Sequence, residues 1–302
     1  MWQGMFDIGL VQASLRLATP ILLAALGGLY STAAGVTNIA LEGMMLLGSF
    51  AAVVASYALQ SAWLGLLAAV LVGAMFGALL GLLSIRLKAN HIVAGIAINI
   101  VATGLTIYLL RVLFGVRGSF QSERIVGLPN VSIPILKSIP IVSDLIGAGN
   151  PIFYVSLVLV PLSVILLYKT AFGLRIRAVG ESPSAAESVG IDIARIRYFC
   201  TTFSGVLCGL AGAYLSIGHL TLFTEGMSSG RGWLGLSAMV FGNQTPVGAF
   251  FASWAFGFAD ALQMRLQGMG IPSQFVQMIP YFLVLATLMR MGAKRIAKEN
   301  AR

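Results

Sequence analysis

Charge is what this chain has least of. Only 10% of its 302 residues are Asp, Glu, Lys or Arg, against about 25% in soluble domains. Histidine is limited to His91 and His219, which excludes the paired-histidine spacing of a zinc protease and any histidine-rich metal site. The dipeptide Gly-Lys never occurs, so there is no Walker A loop to cradle a nucleotide's phosphates. Any ATP-driven work therefore falls to another polypeptide, and no cofactor is expected on this one. Cys200 and Cys208 are the only cysteines. They stand two helical turns apart in one apolar run, which forbids a bridge between them and leaves no disulfide framework. No nucleophile is paired with a base, which speaks against an intramembrane enzyme. Residues 1–9 carry no Lys or Arg, so no cleavable signal peptide is expected.

What fills the space is apolar: 58% of the residues are hydrophobic. Several runs reach the roughly 20 residues needed to cross a bilayer's hydrocarbon core. The fold class is therefore all-α and polytopic, a single transmembrane domain over 1–302 with eight or nine spanning or half-crossing helices. The runs fall at 10–30, 39–59, 62–84, 92–113, 151–168, 199–218, 232–242, 247–265 and 273–291. The piece at 232–242 is too short to span and reads as a half-crossing helix, tolerated where protein or a water-filled cavity surrounds it. The net charge of +9 is a topology signal. Arg86 and Lys88, then Lys169 to Arg197, then Lys294 to Arg302 mark three cytoplasmic intervals by the positive-inside rule. No aromatic-and-basic stripe of the nucleic-acid kind accompanies them. Counting back from a cytoplasmic C-terminus over nine crossings puts the N-terminus outside. The interval 114–150, with Pro129, Pro134 and Pro140, is the external loop. Gly73, Gly77 and Gly81 recur at every fourth position, the small-residue face that lets membrane helices pack closely.

Polar residues inside such runs are the candidates for a translocation path, because an ionised side chain in hydrocarbon normally faces a bundle interior or aqueous cavity. Glu42, in GVTNIALEG, and Asp260, in SWAFGFADALQM, are the two carboxylates. Asp260 could pair with Arg265 or help build the path. Glu42 serves either as a helix cap or brace, or as a path residue. Asn38, Asn99 and Gln263 are either interhelical hydrogen bonds or ligand contacts. Phe223, Trp233 and Phe241 lie near the half-helix and offer rings for stacking, although aromatic residues in membrane proteins mostly pack or anchor.

The interval 169–198 carries ordered helix punctuation in a polar setting. Ser182 suits an N-cap and Pro183 the first helical position. Ser184 to Val189 supply about two turns, and Gly190 fits the left-handed C-terminal position. So short a helix is not stable alone and must dock. Ala185, Ala186 and Val189 give it a small apolar face with Glu181 and Glu187 at the rim.

The segment GLRIRAVGESPSAAESVGIDIARIR at 173–197 resembles the cytoplasmic loop of the permease subunits of bacterial ABC importers, in the branch serving ribose-type sugars, branched-chain amino acids and nucleosides. Gly180, Ala185, Ala186, Gly190 and Ile191 match that family's pattern, with Glu187 just after the alanine pair. GVTNIALEGMMLLGSF at 35–50 is similar to a segment of the nucleoside-type members, matching at Asn38, Glu42 and Gly43, with Ala40 where glycine is commoner. GWLGLSAMVFGNQTPVGA at 232–249 resembles the family's Gly-rich half-helix and turn.

The resemblance implies alternating access. The short helix would be the coupling helix, seated in a groove of a cytoplasmic ABC ATPase. A substrate-binding protein would dock outside, and a second, homologous permease subunit would complete a heterodimer in the bacterial inner membrane. Nucleosides are the favoured substrate, with simple sugars second and a flavin-type vitamin third. The alternative from another class is an ion-coupled secondary transporter with a merely solvated loop.

Overall fold

The computed structural model describes residues 8–131 and 149–267. The expected span at 273–291, the basic cluster Lys294–Arg302 and the centre of the external loop fall outside the described residues. Among those described, ten α-helices and one pair of three-residue strands form the chain. Six helices are long and apolar enough to cross a membrane.

The helix α1 (Ile8–Ala33) is the axis of the bundle. It is buried along most of its length, and its neighbours include α8 (Ile193–Ala213), α9 (Arg231–Phe241) and α10 (Pro246–Gln267). The helices α2 (Leu41–Leu59) and α3 (Ala62–Gly81) pack against one another and against α8. Glycine makes the α3–α8 contact possible. A Cβ at Gly73 would meet the Gly205 carbonyl, and one at Gly77 would meet the Thr201 carbonyl. From the other side, a Cβ at Gly209 would meet the Ala69 carbonyl. The expected small-residue face is therefore a backbone-to-backbone seam.

The helix α4 (His91–Phe114) and α5 (Pro151–Lys169) sit at the periphery and expose Ile92, Val93, Ile96, Ile100, Val158 and Ile165, the composition of a lipid-facing or partner-facing wall. Asn90 caps α4 by accepting from the Ile92 and Val93 amides, and Asn150 caps α5 by accepting from the Phe153 amide.

Two helices end in π-type turns, Leu82–Arg86 after α3 and Tyr214–Leu220 after α8. The second leads into β2 (Leu222–Thr224), which pairs antiparallel with β1 (Ser119–Gln121). This small ribbon is an addition to a fold that is otherwise helical, the expected class. Phe223 is fully buried on it, packed edge-on against Phe50 with ring centroids 5.1 Å apart. The described parts of the interval 114–150 close over the same end. Leu128 N–H donates to the Ile217 carbonyl at 2.8 Å, and Asn150 Nδ2 to the Gly218 carbonyl at 3.0 Å.

The basic segments share the opposite end. Ile85, beside Arg86, lines one cleft together with Glu187, Ile191 and Asp192. Ala33, Arg177, Gly180 and Gln244 line another. The α1 terminus, the α3–α4 turn and the 170–192 interval thus form one basic face.

Candidate functional site

Between α1 and α2 the chain turns back into the bundle as irregular backbone, residues 34–40. Unpaired backbone groups at that depth are costly, so each needs a partner. Two asparagines supply several of them. Asn38, fully buried, accepts from the Ala40 amide at 2.8 Å and donates to Ser204 Oγ of α8 at 2.8 Å. Asn99 of α4 accepts from the Gly43 amide at 2.7 Å and donates to the Ile39 carbonyl at 3.0 Å.

Glu42 reaches across to the half-helix: its two carboxylate oxygens accept from the Gly230 and Gly232 amides at 2.8 and 2.7 Å. An anion there meets the free N–H groups and the positive end of the helix dipole together. Gly232 is needed for the approach, because a Cβ would stand 2.5 Å from Glu42 backbone atoms. Of the two roles open to Glu42, the geometry is that of the brace. Asn38 and Asn99 likewise spend their amides on the protein's own backbone or on Ser204.

The half-helix α9 is eleven residues long. Arg231 is its first residue, while Phe241 lies at its far end, 6.0 Å from the Phe256 ring. Trp233 is exposed. Asp260, half-buried on α10, lies in the electrostatic field of Arg231. Glu42 and Asp260 therefore both answer to the head of α9.

On the basic face, α6 (Ala171–Glu181) and α7 (Pro183–Ser188) replace the single short helix expected there. The helix α6 is capped by Thr170, whose Oγ1 accepts from the Gly173 amide at 3.1 Å. It turns Gly173, Ile176 and Val179 inward. A Cβ on Gly180 would meet the Ala33 carbonyl, so this glycine is a close-approach point between α6 and the end of α1. Arg197 reinforces the joint, its Nε donating to the Ala34 carbonyl at 3.1 Å.

After α6, Ser182 sits at the N-cap position of α7 but makes no side-chain cap bond, and Pro183 occupies the first turn. Gly190 has φ of +80° with open space around it, the left-handed stop the sequence calls for. The Ile191 amide donates back to the Ala186 carbonyl at 3.1 Å and closes the turn. The apolar face differs from expectation. Ala186 is turned into the protein at 3% exposure, whereas Val189 is 75% exposed and Ala185 and Glu187 also face outward. The chain's own packing takes the middle alanine, leaving a protruding valine and a carboxylate as the presented surface.

A third feature had no sequence signal. A cavity of about 350 Å³ lies between the first turns of α1, the Tyr214–Leu220 turn and the head of α9. Gln12, Arg16, Tyr214, His219 and Arg231 are in its wall. Arg16 and Arg231 look like isolated charges in the sequence, and only the folded bundle brings residues 16, 219 and 231 together.

Among the described residues, six apolar spans pack with a braced half-helix, and a short helix pair docks on the basic face. The family model for the permease component of the branched-chain amino acid transport system matches residues 10–288. The chain belongs to that family. This permease is 35% identical over 293 residues to the guanosine ABC transporter permease protein NupQ of Bacillus subtilis, covering 92% of this chain and 90% of NupQ. It is 33% identical to the nucleoside ABC transporter permease protein NupC of Lactococcus lactis, over 93% and 92% of the two chains. It is 34% identical to the putative glucose ABC transporter permease protein TsgC13 of Haloferax volcanii, over 88% and 80%. No solved structure matches the chain. The permease is a multi-pass, non-catalytic membrane subunit of an ABC importer, and the ion-coupled alternative falls with that assignment.

Proposed function

We propose that this permease is one of two different membrane subunits of a nucleoside importer driven by separate ATPase chains. The observation that carries the coupling half is the α6–α7 pair. It is anchored to the end of α1 through Gly180 and Arg197 and presents Ala185, Glu187 and Val189 outward on the basic face. That surface is small and mixed, suited to a shallow groove on a protein and not to lipid. Force applied there reaches α1 directly.

On this reading the basic face is cytoplasmic, the start of α1 lies outside, and an extracytoplasmic binding protein delivers the solute at the β1–β2 end. ATP is bound and hydrolysed by the partner ATPase, and this chain takes no cofactor. The heterodimer follows the pattern of Bacillus subtilis, where two different chains, NupQ and NupP, are both named guanosine ABC transporter permease proteins. This permease is 35% identical to the first and 26% to the second.

A sugar substrate is the second reading, favoured by the similarity to a putative glucose permease. The test has two parts. The tagged chain, purified from its host, should bring an ATPase and a second permease with it. Cells expressing the complete set should accumulate labelled guanosine or uridine over glucose. Uptake of glucose with no nucleoside uptake would overturn the nucleoside assignment. Recovery of the chain alone, active under an ion gradient without ATP, would overturn the coupling.

A further inference from the structure

We infer that the groove between α6 and the start of α8 binds an anionic phospholipid of the cytoplasmic leaflet, its phosphate held by Arg175 and Arg195. The choice of leaflet rests on the reading above that the basic face is cytoplasmic.

The helix α6 has two faces that are not both accounted for by the protein. Gly173, Ile176 and Val179 are spent inward. Ala171, Leu174, Arg175 and Ala178 recur at the spacing of a second face, and Leu174 on it is 61% exposed. This face lines a groove of about 750 Å³, with Val189, Ile191 and Ile196 adding to the apolar lining. Exposed apolar surface rimmed by charge marks a place where a protein or a membrane binds.

The surroundings of the groove favour the membrane. Arg195 lies in the first turn of α8, which begins a membrane span. Phe199, one turn further in, is 48% exposed, and Phe172 of α6 packs edge-on against it with ring centroids 5.1 Å apart. A ring bared on a spanning helix just inside its charged end sits where acyl chains meet headgroups. Arg195, about 6 Å nearer the helix end by the rise of four residues, is then at headgroup depth. The groove lies at that same level, with apolar surface for the start of the chains.

Its charge fits an anion. Arg175 has no ion-pair partner among the described residues. Arg195 stands 3.6 Å from Asp192, but both side chains are well exposed, and pairs of that kind contribute little. Asp192 is the one carboxylate among the residues lining the groove, against the two arginines. A guanidinium presents its N–H donors in a planar fork that matches phosphate oxygens. Basic pockets at the cytoplasmic ends of membrane helices are suited to anionic headgroups.

The test uses the complete importer in detergent, with phosphatidylglycerol and phosphatidylcholine as probes and lipid retention read by native mass spectrometry. Wild type should retain phosphatidylglycerol in preference. R175Q and R195Q should each weaken that retention about fivefold, and the double variant about twenty-five-fold, with phosphatidylcholine unaffected. R124Q removes an exposed arginine at the opposite end and should change nothing. An equal loss in R124Q, or no preference in wild type, overturns the site. Displacement of the lipid by equimolar glycerophosphate overturns it too, because the ligand is then a free phosphate.

Phosphatidylglycerol carrying a diazirine on its acyl chain needs no variant to fold. Label on the wild-type complex should fall within residues 171–178 or 189–203, and label confined elsewhere overturns the site. Benzoylphenylalanine in place of Leu174 should join to lipid; joining to the ATPase instead makes the groove a protein interface and overturns the proposal. Sidedness is read apart from lipid. Ala89→Cys, exposed on the α3–α4 turn of the basic face, should react with an impermeant maleimide in opened cells and not in intact ones, Cys200 and Cys208 being buried. Reaction in intact cells overturns the leaflet and the cytoplasmic reading together, whereas loss of the lipid preference leaves that reading standing.

Discussion

The permease breaks its helices in two places that obey different rules. At residues 34–43, inside the bundle, polar side chains hold the break: Asn38 and Asn99 accept from the Ala40 and Gly43 amides, and Glu42 accepts from the Gly230 and Gly232 amides of the half-helix. At residues 181–191, on the basic face, the break is made by conformation alone. Ser182 makes no cap bond, Pro183 starts the helix, Gly190 ends it, and most of the surrounding side chains are exposed. Water can complete the second kind of break but not the first. A buried interruption is thus a fixed joint, and an exposed one is free to be gripped by a partner.

The contrast is breakable by mutation, most sharply at Glu42. Replacing it with Ala strands two amides at the head of α9. Hydrogen bonds to charged groups contribute about 1.5–3 kcal/mol each, so thermal unfolding of the solubilised importer should show a loss on the order of 3 kcal/mol or more. Glu42→Gln, which keeps one acceptor oxygen, should fall between. An unchanged melting temperature would place the two breaks in one class. Asn99→Ala removes a single buried acceptor and donor and should cost about 1–3 kcal/mol by the same measurement.

Gly180→Val stands on the border between the two regimes, because its added atoms meet the Ala33 carbonyl. Overpacking of that kind costs about 1–3 kcal/mol. Here the larger effect is expected on function, with solute uptake per ATP hydrolysed falling in reconstituted vesicles. Smallest in stability is Val189→Glu. The side chain is 75% exposed, so the melting temperature should move by no more than about 0.5 kcal/mol equivalent. Uptake should nonetheless drop, and full uptake by this variant would remove Val189 from the coupling surface. Ala186, by contrast, is a stability position: a bulky charged residue there disturbs the fold before it can report on coupling.

The residues divide on how locally their information is written. Long apolar runs place α1 to α5, α8 and α10 because crossing a bilayer demands length and composition, both visible along the chain. The half-helix at 232–242 shows itself by being too short, and Gly190 by standing where a left-handed residue is needed. What the sequence conceals is pairing across distance. Nothing near Glu42 announces Gly230, 188 positions away, and nothing near Arg231 announces Arg16. The helix α6 is hidden differently: glycines at 173 and 180 read as helix-weakening, yet both are close-contact points that its docking requires. The inward turn of Ala186 is likewise fixed by α6 and α8, not by its own neighbours.

The central helix α1 has one end in the basic-face joint and the other in the wall of the cavity. Its 26 residues make a rod about 39 Å long at roughly 1.5 Å per residue. Pro20, near its middle, removes one rung of the hydrogen-bond ladder and is the natural fulcrum. A tilt of only about 3° around that point displaces each tip by about 1 Å on that length. The rod thus ties the basic face to the far end of the bundle, so that a small movement at one is carried to the other.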